Sequence, residues 1–144
     1  MSKAKSPRGN AHPPAASLVY LVDDDHRLGE LGAEIFTSEG FEALFFPDPR
    51  LALKALTEAK RKPELLVTDY VMGPMNGLQL IESSRRIHPT IKTILLSGTV
   101  GEAFVRKQPI KPDTFMAKPY RADALIQTAR ELLAERNGEK HVRP

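Results

Sequence analysis

Polar residues with complementary chemistry recur where short apolar runs end. Residues 17–22 (SLVYLV) run into Asp23-Asp24-Asp25, and residues 64–68 (ELLVT) into Asp69. Residues 92–96 (KTILL) run into Ser97, and residues 114–117 into Lys118-Pro119. Brought together, three or four carboxylates, one hydroxyl and one ammonium would share a site. Clustered carboxylates repel and stay ionised only with compensation. A hard divalent cation supplies it: magnesium takes oxygen ligands, keeps several waters and usually binds through one or two carboxylates. A carboxylate held beside magnesium and a lysine can act as a nucleophile, and attack on phosphorus gives an aspartyl phosphate. The cation and the ammonium would spread the charge on the equatorial oxygens, and the serine could donate to a third. Each piece alone has an ordinary reading. An acidic run is a solvated turn or a cap, a Lys-Pro a turn, a Ser-Gly a loop start. Their convergence at four strand ends carries the functional reading.

The elements that must position these groups alternate regularly. The run at 17–22 is too short for a helix and suits a strand buried on both faces. Residues 26–38 carry Leu28, Leu31 and Ile35 at helical spacing, with Gly40 just past the end as a stop. Residues 41–46 read as a second strand. Asp48 is a candidate N-cap for a helix with Leu51, Ala52, Ala55, Leu56 and Ala59 on one face. Residues 64–68 and 92–96 are the third and fourth strands; between them Leu78, Ile81 and Ile87 mark a helix that Pro89 closes. Residues 100–107 suit only a short helix, because Pro109 and Pro112 forbid a long one. Residues 114–117 are a short fifth strand. Residues 121–135 form an amphipathic helix on Leu125, Ile126, Ala129, Leu132 and Leu133.

Five strand–helix units predict an α/β fold. The expectation is a doubly wound, flavodoxin-like (βα)5 parallel sheet of strand order 2-1-3-4-5. Such sheets bind outside the carboxyl ends of their strands, at the switch point between strands 1 and 3. The acidic residues fall there.

Composition narrows the functions. The chain has 144 residues and a formal charge of +3, with a sequence pI of about 9.3. Lys3, Lys5 and Arg8 lie in residues 1–16, which hold no acid; removing those three bases from 21 leaves 18 against 18 acids. The basic excess therefore belongs to a leader, and a nucleic-acid reading of the whole molecule weakens. Residues 1–16 are expected to be a disordered basic leader, residues 17–136 the folded domain and residues 137–144 a frayed tail. There is no cysteine, so disulfides and thiol chemistry are excluded. No apolar run approaches the roughly 20 residues of a membrane span, and no signal-peptide core is present. A cytoplasmic domain without membrane contact is expected.

On these residues the sequence resembles the receiver domain of two-component response regulators, over about residues 17–135. Val22-Asp23-Asp24-Asp25 is similar to the family's acidic pair after strand 1. Asp69-Tyr70-Val71-Met72-Gly73-Pro74-Met75-Asn76-Gly77 is similar to its phosphoacceptor segment, Asp-x-x-Met-Pro-x-Met-Asp/Asn-Gly. Ser97, Lys118-Pro119, and Phe115 three residues before the lysine, match its remaining positions.

The resemblance implies roles. Asp69 accepts the phosphoryl group. Mg2+ is held by Asp24 and Asp69 directly, by Asp23 through water, and by the backbone carbonyl of Val71. Lys118 pairs with the carboxylate and then the phosphoryl group; Ser97 moves to bond it and Phe115 turns inward. Asp25 is either a further acid of the site or the cap of the first helix. The Lys118-Pro119 bond is expected to be cis. The implied partners are a sensor histidine kinase or histidine phosphotransfer protein, and a downstream protein at the face of the fourth helix, fifth strand and fifth helix. No DNA-binding domain is expected, since nine residues follow Glu135.

Departures matter too. Gly73 stands where the family usually has Pro, and Pro74 follows. The short fourth helix suggests a remodelled, more mobile output face. Val71 and Thr99 each lie two residues beyond a site residue, and neither can orient an attacking water, so slow self-dephosphorylation is expected. Gly29 and Gly32 each cost a helix about 1 kcal/mol. They fit either close approach of a partner helix or loose tolerance near a helix start. The histidines, Tyr70 and Tyr120 are assigned no chemistry.

Three other functions compete with the switch. A magnesium-dependent phosphohydrolase with an aspartate nucleophile would need a second acid where Val71 stands. A nucleotide-binding module would need a Gly-rich phosphate loop, and none follows a strand. A receiver-like scaffold that needs no phosphorylation would not require the intact Asp23, Asp24, Asp69, Ser97 and Lys118 set.

Overall fold

The computed structural model describes residues 16–137. Apart from Ala16 and Asn137, the expected leader and tail lie outside the described residues. The elements run β1 (Leu18–Val22), α1 (His26–Ser38), β2 (Glu42–Phe46), α2 (Pro49–Glu58), β3 (Leu65–Asp69), α3 (Gly77–Ile87), β4 (Lys92–Ser97), α4 (Glu102–Arg106), β5 (Thr114–Ala117) and α5 (Ala122–Asn137). Every strand pair is parallel, and the order is β2-β1-β3-β4-β5. The expected flavodoxin-like doubly wound sheet is the fold found.

The central strands are buried on both faces, which is why they read as unbroken apolar runs. Val19, Leu21, Val67, Ile94 and Leu96 pack under α1 and α5, against Phe36, Leu125, Ala129 and Leu132. Tyr20, Val22, Leu66 and Leu95 pack on the other face, against Ala52, Leu56, Leu80, Ile81 and Val105. All five apolar residues expected to build α5 are buried.

Strand and helix ends shift by a residue or two from expectation. Phe41 precedes β2 because its N–H donates to the Phe36 carbonyl, closing the end of α1 (3.1 Å). β3 extends to Asp69 because the pairing with β4 runs to Asp69 opposite Leu96. Asp48 caps α2, accepting the Arg50 N–H at 2.8 Å. Leu51, expected on the inner face of α2, is half exposed, and Pro49 is buried instead.

The larger correction is the orientation of α1. Leu28 and Leu31 carry the apolar periodicity, yet they are 44% and 50% exposed. The buried face is Gly29, Gly32 and Phe36. A Cβ on Gly29 would lie 1.9 Å from the Phe45 ring, and one on Gly32 would lie 2.7 Å from the Leu21 side chain. Neither expectation for these glycines holds. They face the chain's own sheet, where only a bare Cα leaves room for Phe45 and Leu21.

α4 has five residues, fewer than the expected 100–107. Gly101 offers no side-chain cap, and only Val105 is buried. Tight bonds from Lys107 N to Phe104 O (3.1 Å) and Gln108 N to Val105 O (3.0 Å) end it before Pro109. Among the described residues, no helix is long and apolar enough to cross a membrane.

Candidate functional site

Parallel strands end on one edge, so their last residues meet there. Val22 pairs with Thr68, Asp69 with Leu96, and Ser97 with Ala117. That register brings Asp23 and Asp24 beside Asp69, then Ser97, then Lys118. One carboxylate oxygen from each of Asp23, Asp24 and Asp69 lies within 4.8 Å of the other two. The Lys118 ammonium reaches two of the three, at 3.2 Å from Asp23 Oδ2 and 3.3 Å from Asp69 Oδ1.

The backbone holds these side chains in place. The Asp25 N–H donates to Asp23 Oδ1 (2.9 Å), fixing the buried Asp23 carboxylate. Asp25 itself turns away and caps α1, accepting the N–H groups of Arg27 (3.0 Å) and Leu28 (3.2 Å). Of its two readings, the cap is the one found, and it does not join the carboxylate cluster. The Lys118 N–H donates to the Ser97 carbonyl (2.9 Å), and the Lys118-Pro119 bond is cis. The Ser97 side chain is buried, and its oxygen accepts the N–H groups of Thr99 and Val100.

The segment after Asp69 folds back on itself. Tyr70 N–H donates to the Leu96 carbonyl (2.9 Å), and Gly77 N–H to the Tyr70 carbonyl (2.8 Å). Gly73 has φ of 80°. Proline is confined near −65° and could not take that conformation, so the family's usual residue does not fit the loop as it runs here. Asn76 then caps α3, sharing a reciprocal capping box with Gln79. Val71 is half exposed beside the site, and Phe115 is half buried against the α2–α3 side of the core.

Charge is unbalanced here. Burial raises the Asp69 carboxyl above its usual pKa; Lys118 pulls it back, and the Asp23 charge pushes it up again. Burial would lower Lys118, but Asp23 and Asp69 outweigh it and hold the ammonium above its usual value. One ammonium thus faces three carboxylates. The donor set is all carboxylate oxygen, which is the chemistry of a hard cation rather than of zinc. The residues fit such an ion.

The family model for the response regulator receiver domain matches residues 19–130. The chain belongs to the response regulator receiver domain family. Among curated proteins, this receiver domain is 29% identical to the sensor kinase CckA of Brucella abortus over 123 residues, 85% of this chain and 13% of that protein. It is 31% identical to the transcriptional regulatory protein GlrR of Escherichia coli, over 87% of this chain and 28% of that protein. The receiver domain therefore spans well under half of either relative. Among solved structures, a CheY-like receiver domain protein of Methanospirillum hungatei superposes with a TM-score of 0.78 at 22% identity, covering 86% of this chain and 98% of that one. NtrX of Brucella abortus, crystallised with ATP, gives 0.77 at 28% identity, over 87% of this chain and 28% of that one.

Two features of the receiver site escaped sequence reading. Thr99 carries a hydroxyl 3.2 Å from that of Ser97. Gly77 must be bare because a Cβ there would meet the Asp69 carbonyl. Its place in the motif was a signal for the glycine; nothing local signalled the Thr99 contact.

Proposed function

We propose that this receiver domain takes a phosphoryl group onto Asp69 from a phosphohistidine protein, and uses the change for protein–protein signalling. The observation that carries this reading is the cluster of Asp23, Asp24 and Asp69 with Lys118 on two of the three. One Asp69 oxygen attacks phosphorus while the bond to the donor imidazole breaks. Lys118 neutralises the incoming oxygens and, lying between Asp23 and Asp69, needs little movement to follow the charge. Ser97 donates to a third oxygen, and Phe115 moves further into the core beside it.

Mg2+ is the proposed cofactor, with Asp24, Asp69 and the Val71 carbonyl as direct ligands and Asp23 acting through water. Bound there, it neutralises charge on the phosphoryl oxygens. The proposed donors are a sensor histidine kinase or a histidine phosphotransfer protein. The exposed Leu28 and Leu31 on α1, next to the acidic end of the sheet, suit such a docking partner. The proposed output is the α4-β5-α5 face in the cytoplasm, and the single buried anchor of α4 supports its mobility. Phosphatase-type turnover is disfavoured because Val71, not an acid, stands two residues after Asp69.

The test is phosphotransfer from a radiolabelled, histidine-phosphorylated phosphotransfer domain. Label should reach the wild type with Mg2+ present, stay behind when chelator replaces the metal, and never reach Asp69→Asn. Label on the variant would contradict the reading.

A further inference from the structure

Ser97 ends β4 with its side chain buried, 2% exposed. Its oxygen accepts the N–H of Thr99 and the N–H of Val100, both at 3.0 Å. A serine hydroxyl has two acceptor lone pairs and one proton to donate. The two amides take both lone pairs. The remaining contact, 3.2 Å to the Thr99 hydroxyl oxygen, is then made by the Ser97 proton, with Thr99 accepting. Thr99 is exposed, so its own proton is free to meet water.

That same proton is the one Ser97 would give to a phosphoryl oxygen on Asp69, and it cannot serve both. We propose that Thr99 is a positioning residue that competes with the phosphoryl group for the Ser97 proton and so biases the domain toward its unphosphorylated arrangement. The proposal rests on Asp69 being the phosphoacceptor. Handing over the proton turns the Ser97 hydroxyl about its Cβ–Oγ bond and loosens its hold on the two amides. An exposed Thr99 hydroxyl replaces the lost partner with water, whereas a buried Ser97 proton with neither acceptor would be left unpaired. Thr99 therefore sets the balance between the two arrangements, not the capacity to switch. The amides that hold Ser97 also lead directly into α4, whose N-terminus has no side-chain cap. One oxygen thus joins the phosphoryl site to the start of α4.

The test titrates beryllofluoride, a phosphoryl mimic, into the full chain with saturating Mg2+, and separately titrates Mg2+ alone. Thr99→Val keeps the shape and removes the acceptor. It should bind beryllofluoride about three- to tenfold more tightly, the equivalent of one neutral hydrogen bond, with Mg2+ affinity unchanged. Thr99→Ser restores the oxygen and should match the wild type. In a Ser97→Ala background, Thr99→Val should give no gain. Unchanged or weaker beryllofluoride binding by Thr99→Val, or an equal gain without the Ser97 hydroxyl, would overturn the proposal. A wild type with no Mg2+-dependent response to beryllofluoride would overturn the phosphoacceptor reading itself, an outcome that needs no variant to recognise.

Discussion

A methyl group on Gly77 would lie 2.4 Å from the backbone carbonyl oxygen of Asp69. The first residue of α3 thus packs directly on the last residue of β3, and the loop between them closes through the Gly77 N–H on the Tyr70 carbonyl. Backbone cannot yield as a flexible side chain does. Replacement of Gly77 should therefore move Asp69 itself.

Gly77→Ala is expected to lose about 1–3 kcal/mol of stability, the usual range for overpacking. It should also weaken Mg2+ binding, because Asp69 shifts. Urea denaturation and a metal titration check the two effects. Wild-type stability with wild-type metal affinity would show that the loop accommodates the methyl group.

Gly32→Ala should destabilise by about 1–2 kcal/mol. The helix gains about 1 kcal/mol in propensity, but the new methyl lies 2.7 Å from the buried Leu21 side chain, and overpacking costs more. Denaturation midpoints measure the sign. A gain in stability would mean that α1 can lift from the sheet without penalty.

These glycines also show what the sequence could and could not disclose. The site was legible because parallel, doubly buried strands read as apolar runs, and the residue that ends each run is unmistakable: Asp23, Asp69, Ser97, Lys118. The same alternation narrows the sheet to a few doubly wound orders, among them the 2-1-3-4-5 found. The face of α1 was not legible, because Gly29 and Gly32 carry no hydrophobic signal while the exposed Leu28 and Leu31 do. The contacts of the Ser97 oxygen were hidden as well, since they depend on how the turn after β4 aims two amides. Asp25 had two sequence readings, and only the observed cap bonds separate them.

Asp69→Asn should stabilise the metal-free protein at neutral pH. Burial first, and then the Asp23 charge, raise the Asp69 carboxyl in the folded state. Its ionised form is therefore disfavoured by folding, and stability is lost as pH rises from about 3.9, the unfolded value, through the folded value. The variant escapes that loss. Its advantage should be full above the folded pKa and vanish below about pH 3.9, where the wild-type carboxyl is protonated in both states. Lys118 keeps Asp23 as a partner, so the loss of its Asp69 contact does not reverse the sign. Melting curves against pH, without metal, check it; a variant less stable at neutral pH would contradict the assignment.

The phosphorylated domain should lose its phosphoryl group slowly, over minutes or longer. The half-exposed Val71 and the short Thr99 hydroxyl offer no group able to orient water at Asp69. Val71→Glu should shorten the lifetime by about tenfold, below the roughly hundredfold that a fully positioned base supplies. Decay of labelled protein after donor removal gives both rates. A wild-type half-life of seconds would show that another group orients the water.

The most direct measurement of the central claim is intact mass after incubation with Mg2+ and a small-molecule phosphodonor, for the wild type and Asp69→Asn side by side. The wild type should gain the mass of one phosphoryl group, the gain should disappear when the metal is chelated, and Asp69→Asn should gain nothing. Equal labelling of the variant, or a wild type that takes up no phosphoryl group with metal and donor present, would contradict the assignment of Asp69 as the phosphoacceptor.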